Sequence, residues 1–204
     1  MKTRSEVDFA ALLGRVEDPP EAEDAFREVT EAELLARANA MARRGYRHSE
    51  ETLAALRDWM EGRGLILMGG VGSGKTSFFR ALRHPMTQRE GDRGGTIAVF
   101  PMMDVVGRTV QDVRETMERL AESEVVLDDV GAEPAFNDFG SRLELLPWLV
   151  ETRLRSKAKT NFTTNLTGDE LRGRYGMRTV DRMHELAAAH RFTGKSMRAT
   201  RRTP

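Results

Sequence analysis

The segment that most constrains this chain is Gly69-Gly70-Val71-Gly72-Ser73-Gly74-Lys75-Thr76, which satisfies G-x-x-x-x-G-K-[ST] at every position. The apolar run Leu65-Ile66-Leu67-Met68 precedes it, as expected for a central parallel strand covered on both faces. A helical segment, from about Lys75 to Arg83, follows. Glycines let such a loop turn successive N–H groups inward, and the positive end of the next helix adds to its attraction for anions. Residues 69–76, with Ser77 behind them, therefore read as a cradle for the phosphates of a nucleotide. Lys75 would reach the terminal phosphates and the Thr76 hydroxyl would ligate magnesium.

The remaining pattern alternates strands with helices. Thr96 to Phe100, Glu124 to Asp128, Thr160 to Thr164 and Ala189 to Phe192 read as strands. Met102 to Leu120, Ser141 to Ser156, Asp169 to Arg172 and Thr179 to Leu186 read as helices, with Pro147 placed to kink the second. This alternation predicts an α/β fold of three layers, a central parallel sheet with helices on both faces. Residues 1–62 look helical and polar. Val7, Phe9, Leu12 and Leu13 form a short apolar cluster that Asp18-Pro19-Pro20 ends. Thr30 and Glu33 have capping-box spacing, and Leu34, Leu35, Ala38 and Met41 recur on one helical face. Ser49 can cap a further helix through Leu53, Leu56, Trp59 and Met60 that stops at Gly62-Arg63-Gly64. The expected organisation is an N-terminal helical extension over 1–62, a nucleotide-binding core over 63–200 and a basic tail over 201–204. Either a packing appendage or a partner-docking module fits the extension.

A nucleotide site needs an acidic residue ending a neighbouring buried strand, and Val125-Val126-Leu127-Asp128-Asp129 supplies two. Asp128 would hold the magnesium and Asp129 would polarise the attacking water. A solvated strand end is the plain alternative, and the upstream phosphate loop favours the site. Without cysteine, a disulfide scaffold, a thiol nucleophile and an iron–sulfur cluster are excluded. His48, His84, His184 and His190 are too scattered for a zinc enzyme. The 32 basic residues balance 32 acidic ones, which argues against a surface that is basic throughout. Neither a secretory signal nor a run of roughly 18 apolar residues occurs, so a cytoplasmic protein with no membrane partner is expected. The absence of Asn-Lys-x-Asp argues against a GTPase, and the long segment before the loop argues against a small nucleoside kinase. ATPases that place an extra strand between the phosphate loop and the acidic strand remain, and Thr96 to Phe100 fits that insertion.

Several segments together resemble the AAA+ helicase-loader ATPases, the group that includes DnaC, DnaI and the transposition helper IstB. They are Gly64 to Gly69, Asp128-Asp129-Val130-Gly131-Ala132-Glu133, Thr163-Thr164-Asn165-Leu166 followed by Asp169-Glu170-Leu171, Arg174 to Met183, and Phe192 to Arg198. The resemblance implies an AAA+ P-loop core with ATP and magnesium as cofactors. It implies that Asn165 is sensor 1, that Arg182 is an arginine finger completing a neighbouring subunit's site, and that Arg198 is sensor 2. Arg178, four residues before Arg182, would support it or bind a second acidic partner. Each arginine has a plain alternative as a surface residue in an arginine-rich chain. The family pattern also implies self-association, a replicative helicase or a transposase as partner, and single-stranded DNA. Residues 191–204 contain Arg191, Lys195, Arg198, Arg201 and Arg202 and no acidic residue, which suits either phosphate contact or a solvated tail. Three readings stand at this level: an ATP-hydrolysing helicase loader or remodeller, a transposition helper, and a nucleotide-gated binding module with little turnover.

Overall fold

A computed structural model describes residues 27–82, 97–105, 110–119, 123–133, 136–138, 141–143 and 145–194. In chain order the elements are α1 (Glu31–Ala42), α2 (Glu50–Met60), β1 (Gly64–Met68), α3 (Lys75–Leu82), β2 (Ala98–Pro101), a 3-10 turn (Met102–Val105) and α4 (Val110–Arg119). They continue with β3 (Val125–Val130), β4 (Phe136–Asp138), β5 (Ser141–Leu143), α5 (Leu145–Ser156), β6 (Thr160–Thr164), α6 (Gly168–Tyr175), α7 (Met177–Leu186) and β7 (Ala187–Arg191).

Five strands form a sheet in the order β2-β3-β6-β1-β7, and every pairing in it is parallel. Along the chain β2 lies between the phosphate loop and the acidic strand. The expected insertion of Thr96 to Phe100 between the phosphate-loop and acidic strands is corrected in space: β2 takes the sheet edge, and β6 is the strand that separates β1 from β3. Alternate side chains of a strand face opposite ways, so each buried strand feeds two cores. Ile66, Leu127 and Phe162 face one core with Leu146, Leu149 and Val150 of α5, Leu171 of α6, and Val180 and Met183 of α7. Leu65, Leu67 and Val126 face the other with Leu34, Ala38 and Met41 of α1, Ala55 and Leu56 of α2, and Phe78 and Phe79 of α3. The sheet is thus the middle of three layers.

Helices α1 and α2 form part of one outer layer. Both begin on capping boxes, Thr30 with Glu33 and Ser49 with Thr52, which satisfy backbone donors at the first turn. Arg37 and Arg44 on and just after α1 donate to the carbonyls of Leu82 and Ala81 at 3.1 and 3.0 Å, where α3 ends. At the far end Lys159 donates to the Trp59 carbonyl at 2.6 Å and stands 4.1 Å from the Trp59 ring centre. β1 comes so close to its neighbours that a Cβ on Gly64 would lie 2.2 Å from the Thr160 carbonyl oxygen.

Some sequence expectations are corrected. Ser141 to Leu143 is a strand pairing antiparallel with β4, and the helix starts only at Leu145. Pro147 is then the third residue of the helix, within the first turn, where no intrahelical donor is lost, so the ground for expecting a kink falls away. Leu35 is 57% exposed, on the side of α1 away from the core that Leu34, Ala38 and Met41 enter. The segment after β2 opens with a 3-10 turn, and α4 starts at Val110. The final strand begins at Ala187, two residues earlier than expected, because Gly64 and Leu65 pair with Ala187 and Ala188. The cluster of Val7, Phe9, Leu12 and Leu13 lies outside the described residues, as does the tail from Lys195.

Candidate nucleotide site

In a parallel sheet the carboxyl ends of all strands share one edge, where ligands of open α/β folds bind. β1, β3 and β6 end there side by side, bringing together residues 69–76, Asp128 and Asp129, and Asn165.

The loop turns through Gly69, Gly72 and Gly74, all at positive φ. A Cβ on Gly69 would meet the Phe192 carbonyl oxygen at 2.2 Å, because Phe192, just past β7, donates its N–H to the Met68 carbonyl at 2.7 Å. Gly70 has open space around its α-carbon, and Val71 is 70% exposed at the loop tip. Lys75 opens α3 and is buried. Its Nζ donates to the carbonyls of Gly69 and Gly70 at 2.7 and 3.1 Å, to Ser73 Oγ at 3.4 Å and to Asn165 Oδ1 at 2.9 Å. Burial lowers the Lys75 pKa below its ordinary value, while the carboxylates of Asp129 and Asp128 oppose that shift. Ser77, the next position but one, is exposed.

Thr76 and Asp128 meet across the gap between α3 and β3. Thr76 Oγ1 donates to Asp128 Oδ1 at 3.0 Å, and Thr163 Oγ1 of β6 donates to the same oxygen at 2.6 Å. Asp128 is only 7% exposed, so these hydroxyls replace much of its lost hydration. Thr163 also accepts the Asp129 N–H at 2.9 Å, where the β3–β6 register shifts between Leu127 and Val130. Asp129 itself has φ 57°, a left-handed conformation at the mouth of the site. The Thr76 and Asp128 oxygens suit a hard divalent cation such as magnesium, and the glycine loop with its lysine suits phosphate. Among the described residues no cluster of three His, Asp or Glu side chains is placed to hold a metal.

Arg182 stands elsewhere, on α7, with its Nε 3.2 Å from Glu151 Oε1 of α5. Arg178 reaches the same carboxylate oxygen at 3.4 Å. Arg198 lies outside the described residues. Two partners escaped the sequence reading. Thr163 reads from the sequence only as part of the strand leading to Asn165, although Thr160, Asn161, Thr163 and Thr164 make a strand too polar to be buried without partners. Glu151 gave no signal, because a carboxylate on a helix is ordinary.

Fold and candidate site define a three-layer α/β architecture with a glycine-rich loop after β1, in which β1 and the acidic strand β3 are separated by one strand. Among solved structures the chain is similar to the crystal structure of the DnaC helicase loader, with 22% identity and a TM-score of 0.55 over 78% of this chain and 99% of that one. It is similar as well to the crystal structure of DnaI, at 18% identity and a TM-score of 0.57 over 78% of this chain and 94% of that one. The fold is therefore of DnaC/DnaI type. No protein-family model matches the sequence, and no curated protein does. Among the described residues no helix is long and apolar enough to cross a membrane.

Proposed function

We propose that this chain binds and hydrolyses ATP with magnesium and acts as a helicase loader or remodeller in DNA replication. The observation that carries the reading is the convergence of Lys75, Thr76, Asp128 and Asn165 at the ends of three adjacent strands. The phosphate loop would hold the triphosphate through its N–H groups, with Lys75 turning from the Gly69 and Gly70 carbonyls onto the phosphate oxygens. Thr76 and Asp128 would hold the magnesium, which supplies charge neutralisation on the phosphates when bound. Asp129 would polarise the attacking water, and Asn165 would orient it against the terminal phosphate. Arg182 would leave Glu151 and complete the site of a second copy, so turnover depends on self-association. The loader role is supported by the DnaC helicase loader's fold, which this chain shares. Residues 1–62 are proposed as an extension whose described helices brace the core, and single-stranded DNA as a ligand of the assembled form.

The test is ATP hydrolysis by the full chain, with and without single-stranded DNA, and co-purification with a replicative helicase or a transposase. Magnesium-dependent hydrolysis together with helicase capture supports the reading. Folded protein that takes up no magnesium–ATP overturns it, and capture of the transposase alone replaces the loader role with the transposition role.

A further inference from the structure

The turn after β3 has an unusual backbone. Asp129 has φ 57° and Gly131 has φ 99°, so two of three successive residues are left-handed. A non-glycine residue adopts that conformation at a cost, and surrounding contacts must over-determine it. The Ala132 N–H closes the turn on the Asp129 carbonyl at 3.0 Å. A Cβ on Gly131 would meet Leu166 at 2.5 Å, so the loop after β6 packs directly beneath.

Three side chains hold this turn from behind. Glu133 is 2% exposed, and its Oε2 accepts the Gly131 N–H at 2.9 Å. Its Oε1 accepts the hydroxyl of Tyr175, a residue also buried. Arg174 donates to the carbonyls of Gly131 and Glu133, with its Nη2 3.8 Å from Glu133 Oε1. Each oxygen of the buried carboxylate thus has its own donor and a guanidinium nearby, the condition under which such a charge is tolerated. None of the three is among the groups that converge on the phosphate loop. Arg174 and Tyr175 end α6, and Gly176 at φ 83° leads directly into α7, the helix of Arg178 and Arg182.

Resting on the ATP-hydrolysis reading above, we infer that Glu133, with Arg174 and Tyr175, is the positioning element for Asp129. It acts through the Gly131 N–H and holds the left-handed backbone that presents the Asp129 carboxylate. Because α7 starts at the same cluster, the placement of Asp129 in one subunit is tied to the helix whose Arg182 serves the next.

The test compares Glu133→Ala, Glu133→Gln and Tyr175→Phe in the full chain by turnover, magnesium–ATP affinity and amide hydrogen exchange. Gln keeps an oxygen for Gly131 and gives Tyr175 an N–H, so it serves as the conservative rescue. Expected are a turnover loss of at least about 10-fold for Glu133→Ala and about 3-fold for Tyr175→Phe, with Glu133→Gln near wild type. ATP affinity stays within about twofold, and exchange accelerates at residues 129–133 but not in β1. Turnover unchanged in both Glu133→Ala and Tyr175→Phe overturns the inference, as does a loss matched by equal loss of ATP affinity. If Glu133→Ala does not fold, Tyr175→Phe decides. Active wild-type protein beside equally active variants removes the positioning role alone, whereas wild-type protein that binds ATP without hydrolysing it removes the hydrolysis reading and this role together.

Discussion

Lys75 Nζ donates to Asn165 Oδ1 at 2.9 Å, joining the first turn of α3 to the end of β6. The amide is an uncharged acceptor, so it holds the ammonium without neutralising it. Asn165→Ala is expected to lower turnover about 10- to 100-fold while changing magnesium–ATP affinity only a few-fold. Asn165→Asp places a carboxylate against the lysine and the incoming phosphates, and should weaken ATP binding at least about 10-fold. Calorimetric titration beside steady-state turnover separates the two. Equal affinity for both variants would remove Asn165 from the phosphate side of the site.

The buried Asp128 carboxylate makes Thr163 a stability residue as well as a site residue. Thr163→Val removes the 2.6 Å donor to Asp128 Oδ1 and the acceptor of the Asp129 N–H. The loss should be about 1–3 kcal/mol of unfolding free energy, and magnesium–ATP should restore part of it by mass action. Thermal melts with and without magnesium–ATP check both parts.

Arg182 meets Glu151 within its own chain, yet its proposed work is on another copy. Arg182→Ala should lower turnover at least about 100-fold, as should Asp129→Asn. Mixing the two inactive proteins should restore activity, because some interfaces then pair an intact Asp129 with a neighbour's intact Arg182. Glu151→Gln should shift half-maximal turnover to a lower protein concentration by loosening the internal pair. Failure of the mixture to recover any turnover would assign Arg182 a role within its own subunit.

Lys159 gives the fold a pH signature. Burial, opposed by Glu124 and reinforced by Arg37, pushes its pKa down to about 8. The unfolded chain therefore holds this proton more tightly between pH 8 and about 10.4, and stability rises with pH across that window. The rise attributable to Lys159 across that window should be on the order of 3 kcal/mol. Lys159→Met should flatten it in urea titrations at pH 7.5, 8.5 and 9.5, while wild type retains the slope.

Local spacing was enough to locate residues 64–76, the acidic strand end, the Thr30–Glu33 capping box and the cap at Ser49, since these depend on interactions within a few residues, whereas the pairing of Ser49 with Thr52 came from the structure. The alternation of strands and helices also carried the parallel three-layer plan, because apolar periodicity reports which faces are covered. Tertiary structure alone decided that β6 stands between β1 and β3, since strand order follows from packing among segments far apart in the chain. It likewise turned Ser141 to Leu143 from helix into strand, as cross-strand pairing outweighed local preference. The Glu133 carboxylate carries no local mark of its role: only folding brings Tyr175 and Arg174 against it, and burial then makes those donors necessary.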